Sequence, residues 1–547
     1  MIRLFSLILV LVMMAAALVR WVFPHSLRAY AGDARALVAL TRRGWLAEPT
    51  VHRAALAALV LFGFLLRLVH LSQPMRYDEA WSFINYSSQP LRIALSDYSL
   101  PNNHVFHTLL AWISTRAFGD AIWAIRLPVL VAGTLLVPAT YLVARRLGSA
   151  PGALFAAALA AVLPSLILYS TNARGYVIIC LAFLVLLLLA DSLASEDSPG
   201  LWVPFAIVMA LGAYTAPVMM FPAGAAILWL VAERWRRRGR SSAARLLPRL
   251  AAALTLSGVL TAMLYAPVIV LSGARSLVSN RFVTAHGWPQ FVAELPAFGV
   301  TTYETLALGV PIALAGLGAA AIFWALFRDD DGGRIARRTL AIAVVAACTV
   351  ILVGTRRPPP GRVLLYVAPL LCVYAGIGLA SLGGLVVRSS RRRVETLAAA
   401  AVLLALVVGA WGVAGRVVFE NEETDWFGYH DAPEVARFLL SELRPGDRVV
   451  YVQVGPPLDF YLRTLGNRQL AELATTPRPT RLLVVVNEAH HQTLDLVRGQ
   501  RRTIPWDQFS ASQVLRRFER SRVYELHALG GPPPPPPPDR DGGAGRP

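Results

Sequence analysis

The sequence contains no lysine; all 52 of its Lys and Arg positions are arginine. With no lysine there is no Gly-Lys-Ser/Thr loop to cradle a nucleotide phosphate, and neither a dinucleotide fingerprint nor a zinc-protease helix motif is present. Cysteine is scarce as well. Cys180, Cys348 and Cys372 lie inside apolar segments at unrelated spacings, so they read as small core residues, with no disulfide framework or metal site implied. Charged residues of both signs make up only 16% of the 547 residues. Uncharged runs of about 17 residues or more recur along the chain, the length needed to cross a hydrocarbon core. A soluble body behind one leading helix is excluded; this is a polytopic membrane protein. Arginine without lysine, together with abundant Ala and Gly, is the composition expected from codon bias in a high-GC bacterium.

What is present is apolar surface (56% hydrophobic residues) and a net charge of +19. That charge could suggest a nucleic-acid partner, but the arginines cluster in short loops between apolar segments, which is the positive-inside pattern of membrane proteins. The loops therefore set a topology. Ile2 to Val19 is expected to be an uncleaved extra helix, since no small-residue cleavage site follows it. Arg28, Arg35, Arg42, Arg43 and Arg53 place the next segment in the cytoplasm, so Ala54–Leu71 runs outward and delivers Asp78-Glu79 to the far side. The aromatic loop from Ser72 to about His104 suits short interfacial helices, and Val105–Phe118 is too short to span, so it too is placed at the interface. Inward and outward helices then alternate: Ile122–Ala144, Pro151–Tyr169, Val177–Leu193, and a hairpin within Leu201–Trp229 turning at Ala213–Pro217. Leu250–Leu271, Leu306–Phe327, Leu340–Val353, Leu364–Val387 and Leu397–Val418 follow, with a second long outer loop at Ser272 to Tyr303. Four arginine clusters fall inside. The cluster Arg356, Arg357 and Arg362 falls outside, against the rule, and so asks for a reason.

The expected division is an extra helix and cytoplasmic segment (1–53), a transmembrane catalytic domain (54–419) with outer loops 72–121 and 272–305, an extracytoplasmic α/β domain (420–529), and a Pro-rich disordered tail (530–547). In the α/β domain, Pro433–Leu443 has helical periodicity, Arg448–Val454 and Arg481–Val486 read as strands, and Leu458–Leu465 is compatible with a helix.

Outer-face residues carry the chemistry. A carboxylate at Asp78 or Glu79 can take a proton from an alcohol when it is desolvated or hydrogen-bonded; Asp78 is taken as the base and Glu79 as its support. The plainer account of the pair is a helix cap or an ion pair with Arg76. Arg174, in Ala173-Arg174-Gly175-Tyr176, and Arg356, Arg357 and Arg362 can hold phosphate oxygens bidentately, although loop arginines also meet lipid head groups. Asn103, His104 and His107 could touch phosphate or metal, but a histidine pair without a third ligand is a weak metal signal. Tyr77, Trp81, Tyr169 and Tyr176 are candidates for substrate contact, Tyr77 and Trp81 by stacking on a sugar ring, as are Trp288 and Trp426; membrane-interface anchoring explains outer aromatics equally well. Glu488, His490 and His491 read as solvated. No metal ligand is assigned, and a divalent metal is left open.

The ordered set Tyr77-Asp78-Glu79-Ala80, Asn103-His104, Phe118-Gly119, Arg126-Leu127-Pro128, Tyr169 with Ala173–Tyr176, and Arg362 through Tyr366 to Pro369 spans roughly residues 50 to 390. It resembles the GT-C-fold membrane glycosyltransferases, in the family of protein O-mannosyltransferases and aminoarabinose transferases. The apolar segments set out above make a polytopic α-helical protein of about 11–12 transmembrane helices, GT-C-like by this resemblance, with a small C-terminal extracytoplasmic α/β domain to which the resemblance does not extend. The resemblance implies an inverting transferase that uses a polyprenyl-phosphate monosaccharide, with Asp78 as base. In one place the chain departs: where related enzymes often have a Pro-rich or Lys-bearing stretch, it has Pro101-Asn102-Asn103-His104. The expected partners are the polyprenyl-phosphate sugar, membrane lipids and a glycan, lipid or protein acceptor, at a bacterial inner membrane, with no nucleic acid. The rival reading is a transporter or lipid flippase with a soluble outer domain, whose essential charges would sit near the bilayer midplane. A catalytically dead scaffold binding a glycan is a third.

Overall fold

The computed structural model describes residues 48–529 apart from 101, 197, 279–284, 329–331, 387–389, 415–427, 453–454, 467–478 and 489–490, together with residues 10, 12–14, 17, 32 and 46. Most of the expected N-terminal helix, Pro101, Trp426, His490 and the Pro-rich tail lie outside the described residues. The chain divides into two compact units: Met1–Gln73 with Trp81–Asn421, and Pro74–Ala80 with Glu422–Pro547. Asp78 and Glu79 cluster with the C-terminal unit.

The first unit is helical. Its elements are α1 (Thr50–Leu71), α2 (Tyr77–Ser82, which begins in the second unit), a π-turn (Phe83–Ser87), α3 (Leu91–Ser96), α4 (Val105–Phe118), α5 (Ile122–Leu147), α6 (Ala150–Val162) and α7 (Pro164–Ser170). Then come α8 (Tyr176–Ser195), α9 (Trp202–Thr215), α10 (Met220–Leu271), α11 (Arg275–Val278), α12 (Trp288–Leu306), α13 (Ile312–Phe327), α14 (Arg334–Thr355), a 3₁₀ turn (Gly361–Leu364), α15 (Val367–Val386) and α16 (Ser390–Ala414). Among the described residues seven helices are long and apolar enough to cross a membrane, or eight if the bent pair α6–α7 is one span. That is fewer than the expected eleven or twelve for three physical reasons. The helix α10 is two helices joined at Gly239, whose φ of 78° breaks the right-handed path. Helices α9 and α13 are apolar but have only 14 and 16 residues, about 21–24 Å at ~1.5 Å per residue. The leading apolar stretch lies mostly outside the described residues. The second outer loop also differs from expectation: it contains the 19-residue α12.

The bend at α6–α7, 58°, shows how local chemistry shapes the bundle. Pro164 has no N–H for the Ala160 carbonyl, and the residue before it, Leu163, is driven to extended backbone (ψ 119°). Carbonyls freed in this way need another donor inside an apolar bundle. Arg67 of α1 supplies it: Nη1 donates to the Ala161 carbonyl at 3.1 Å and Nη2 to that of Ala160 at 3.3 Å, with Gly63 O at 2.8 Å. The sequence places Arg67 near a helix end, yet the side chain is fully buried and helps to close a break in a neighbouring helix. Arg126, at the start of α5, similarly donates to the Leu71 and Gln73 carbonyls at the end of α1.

The two ends of the bundle follow from these contacts. At one end Asp191 of α8 pairs with Arg146 of α5 at 3.2 Å and Arg237 of α10 at 2.7 Å, and Arg337 of α14 donates to the Leu147 carbonyl. At the other end lie the close of α1 and the starts of α5 and α8. Helices α5 and α8 therefore run in the same direction, and α1 runs against them.

The second unit is a four-stranded sheet in the order β1-β2-β4-β3, with β1 (Asp447–Val450) parallel to β2 (Arg481–Asn487), and β4 (Ser521–His527) antiparallel to both β2 and β3 (Gln513–Arg517). Around it are α17 (Ala432–Glu442), α18 (Gly455–Leu465) and α19 (Leu494–Gln500). The apolar run of β2 is buried throughout, as suits a central strand. Arg481 is satisfied by Asp447 at 2.5 Å and Glu525 at 2.8 Å.

Candidate functional site

The site grows from the loop before α8. Arg174 is nearly buried; its Nη1 donates to Ser82 Oγ at 2.8 Å and to the Asn102 carbonyl at 2.6 Å, and its Nη2 lies 3.2 Å from His104 Nε2. The other ring nitrogen, His104 Nδ1, accepts the Gly175 N–H at 2.8 Å. The tautomer follows from that bond. A neutral imidazole has one acceptor nitrogen; Nδ1 is that acceptor, so Nε2 carries the proton. The Nε2–H of His104 and the Arg174 guanidinium are thus neighbouring N–H donors, a donor set of the kind that suits a phosphate oxygen.

Tyr176 sits at the centre of the same group. Its ring meets His104 edge-on at 4.8 Å and Tyr169 at 5.4 Å, the Arg174 guanidinium lies 6.0 Å from its centre, and its hydroxyl accepts from Arg362 Nε at 3.1 Å. Arg174, His104, Tyr169, Tyr176 and Arg362 are thus brought together from three separate stretches of sequence. Arg362 is delivered by the 3₁₀ turn, which packs on α12 so closely that a Cβ on Gly361 would stand 2.5 Å from the Thr301 carbonyl.

Gly175 is also forced by crowding. A Cβ there would lie 2.3 Å from Thr215 Cγ2 and 2.9 Å from His104 Nδ1. Gly175→Ala should therefore displace His104, costing about 1–3 kcal/mol as over-packing. A variant with wild-type melting temperature would show that the loop has room to spare.

Burial holds the His104 imidazole well below the ordinary histidine range, with Arg174, His107 and Arg362 adding to the effect. One turn on, His107 is buried, its Nε2 has no hydrogen-bond partner among the described residues, and burial with Arg174 lowers its pKa to about 3. Both rings are neutral in the folded protein at pH 7, whereas an unfolded chain protonates them near ~6.5. The stability they contribute is present above that value and is lost as pH falls below it, at up to about 1.4 kcal/mol per pH unit for each group. Between pH 7 and 5 the melting temperature should fall, and it should fall less in His107→Leu. Equal acid sensitivity of the two proteins would remove His107 from this account.

The remaining predicted residues are placed differently. Glu79 is buried, and its Oε1 accepts the Arg76 N–H at 2.8 Å, so it caps the start of α2. Asp78 and Tyr77, in the same first turn, are half-buried. Asp78 stands four residues ahead of Ser82 in one helix. Trp81 is half-buried, and its carbonyl accepts from Asn85. Asn103 is a brace for its loop: its amide donates to the Ala94 and Asp97 carbonyls, and its oxygen accepts from Thr108 Oγ1 at 2.7 Å. Arg356 lies over the Trp288 ring at 5.6 Å, and Arg357 meets His286, which pairs with Glu294 at 2.9 Å. These contacts tie Arg356 and Arg357 to the α12 region. A cation is a poor fit at His104, whose Nδ1 is already an acceptor and whose Nε2 faces a guanidinium. Among the described residues no three His, Cys, Asp or Glu side chains gather as a metal site. His107 and Gly175 are the site features that the sequence reading underused; the Ala-Arg-Gly-Tyr corner was the signal for the latter.

Comparison with known proteins adds three findings. A family profile described as dolichyl-phosphate-mannose-protein mannosyltransferase matches residues 103–265. No curated protein sequence matches significantly. Among solved structures, ArnT from Cupriavidus metallidurans in the apo state aligns over 88% of this chain and 100% of its own, at 16% identity and a TM-score of 0.55. The same protein bound to undecaprenyl phosphate aligns over 87% and 98%, at 16% identity and a TM-score of 0.56. The chain is a multi-pass membrane protein with the GT-C fold, similar in backbone to ArnT over most of its length.

Proposed function

We propose that the protein is an inverting glycosyltransferase that moves a monosaccharide from a polyprenyl-phosphate donor to an acceptor hydroxyl on the extracytoplasmic side of a bacterial plasma membrane. The observation that carries this reading is the cluster of Arg174, His104 and Arg362 around Tyr176, in which two guanidiniums and an imidazole N–H, the donor types that bind phosphate, stand together. The likeness to an undecaprenyl-phosphate-bound ArnT supports a lipid phosphate as that anion. The half-buried Asp78, one helical turn from the Ser82 that Arg174 holds, supports a base close along the chain.

In this reaction Asp78 accepts the proton of the acceptor hydroxyl, and the hydroxyl oxygen attacks the anomeric carbon from the face opposite the phosphate. The bond from that carbon to the phosphate oxygen breaks, its electron pair leaves with the polyprenyl phosphate, and the guanidiniums stabilise the charge that develops there. Glu79 serves the base indirectly, by closing the turn that carries it. The acceptor is a glycan, lipid or protein hydroxyl. The test is to incubate the full chain in nanodiscs with undecaprenyl-phosphate monosaccharides and follow release of undecaprenyl phosphate. Failure to bind undecaprenyl phosphate, or binding without release from any sugar tried, would remove the assignment.

A further inference from the structure

The C-terminal domain has no part in the reaction as written, yet it forms one compact unit with Pro74–Ala80, the segment that carries Asp78. Inside that unit the Met75 N–H donates to the Tyr461 hydroxyl oxygen at 2.9 Å, across a separation of 386 residues. Both ends of the bond are buried, Met75 completely. Tyr461 lies on α18, its ring held edge-on by Phe460 at 5.1 Å. The next backbone donor, the Arg76 N–H, is taken by Glu79. The two amides immediately before the Asp78 turn are therefore fixed, one by its own helix and one by the opposite end of the sequence.

We infer that Tyr461 is a positioning residue for Asp78, and that the C-terminal domain sets the backbone from which this carboxylate projects. The inference rests on the reading of Asp78 as the base. Its physical basis is that a small displacement of a catalytic group is expensive in rate, while a buried amide that loses its acceptor must move to find another.

Tyr461→Phe keeps the ring and removes the acceptor oxygen. In the full chain in nanodiscs, hydrogen exchange of the peptide containing Met75 should accelerate about tenfold or more. Turnover per undecaprenyl-phosphate-binding site should fall on the order of tenfold, with KM for the donor unchanged. Counting sites by bound undecaprenyl phosphate separates positioning from folding, because a purely structural role lowers the number of sites and leaves turnover per site intact. Unchanged exchange at Met75, unchanged turnover per site, or an equal loss of donor affinity would each overturn the inference. Asp78→Asn is run alongside: if it retains turnover, the reading of Asp78 fails; if it does not and Tyr461→Phe matches wild type, only the positioning role fails.

Discussion

Asp78→Asn is expected to cut sugar transfer by about 10³-fold, within the range for removing a general base, while undecaprenyl phosphate still binds with wild-type affinity. The amide is nearly the same size as the carboxylate, so the α2 turn can keep its shape, and the capping bond from Arg76 N–H to Glu79 is untouched. What is lost is the ability to take a proton as the acceptor oxygen attacks. Glu79→Gln gives the contrasting result. Its side chain is buried and committed to the helix start, so a neutral amide oxygen can still accept that bond, and the loss should be no more than about tenfold, expressed in stability as much as in rate. The comparison separates the two acids, which sequence alone could only rank. Equal damage from both substitutions would mean that the carboxylates act as a pair, and retention of turnover in Asp78→Asn would end its role as base.

Arg174→Lys is expected to behave almost as badly as Arg174→Ala. Arg174 serves Ser82 Oγ, the Asn102 carbonyl and the region of His104 Nε2 at once. A lysine presents one point charge on a flexible stem and cannot reproduce that fork. Donor affinity should fall about 100-fold, since charge-assisted bonds contribute roughly 1.5–3 kcal/mol each, and the loop at 102–104 should loosen. Arg362→Ala should lose about tenfold in donor affinity with acceptor affinity unchanged, because Arg362 is only half-buried and its described bond is to Tyr176 OH. Arg356→Ala, whose cation–π contact is with Trp288 on α12, should change donor affinity little. Undecaprenyl phosphate titrations of the four variants check this ranking. Equal losses for Arg356→Ala and Arg362→Ala would show that the cluster acts as a diffuse positive surface.

The uncharged runs were enough to read a multi-pass helical protein, because length and apolarity across hydrocarbon are properties of the local sequence. The Ala-Arg-Gly-Tyr corner and Arg362 were legible for a related reason: a guanidinium at the edge of an apolar segment must find a partner. The helix α12 is not legible in the sequence, since it carries Glu294, Glu304 and an internal Pro296, and of its residues only Phe291 is buried. The strand β3 is an exposed edge with no buried face to impose alternation.

Composition and periodicity determined by themselves that this chain is a multi-pass membrane protein, because length and apolarity across hydrocarbon are local properties. Tertiary structure alone decided which arginine does what. Arg67 is taken up by carbonyls freed at Pro164, Arg356 and Arg357 by the α12 region, and Arg174 and Arg362 stand against His104 and Tyr176. The reason is physical: a guanidinium carries the same charge wherever it stands, and only the acceptors packed around it determine whether it closes a helix, stacks on a ring or is directed at a ligand.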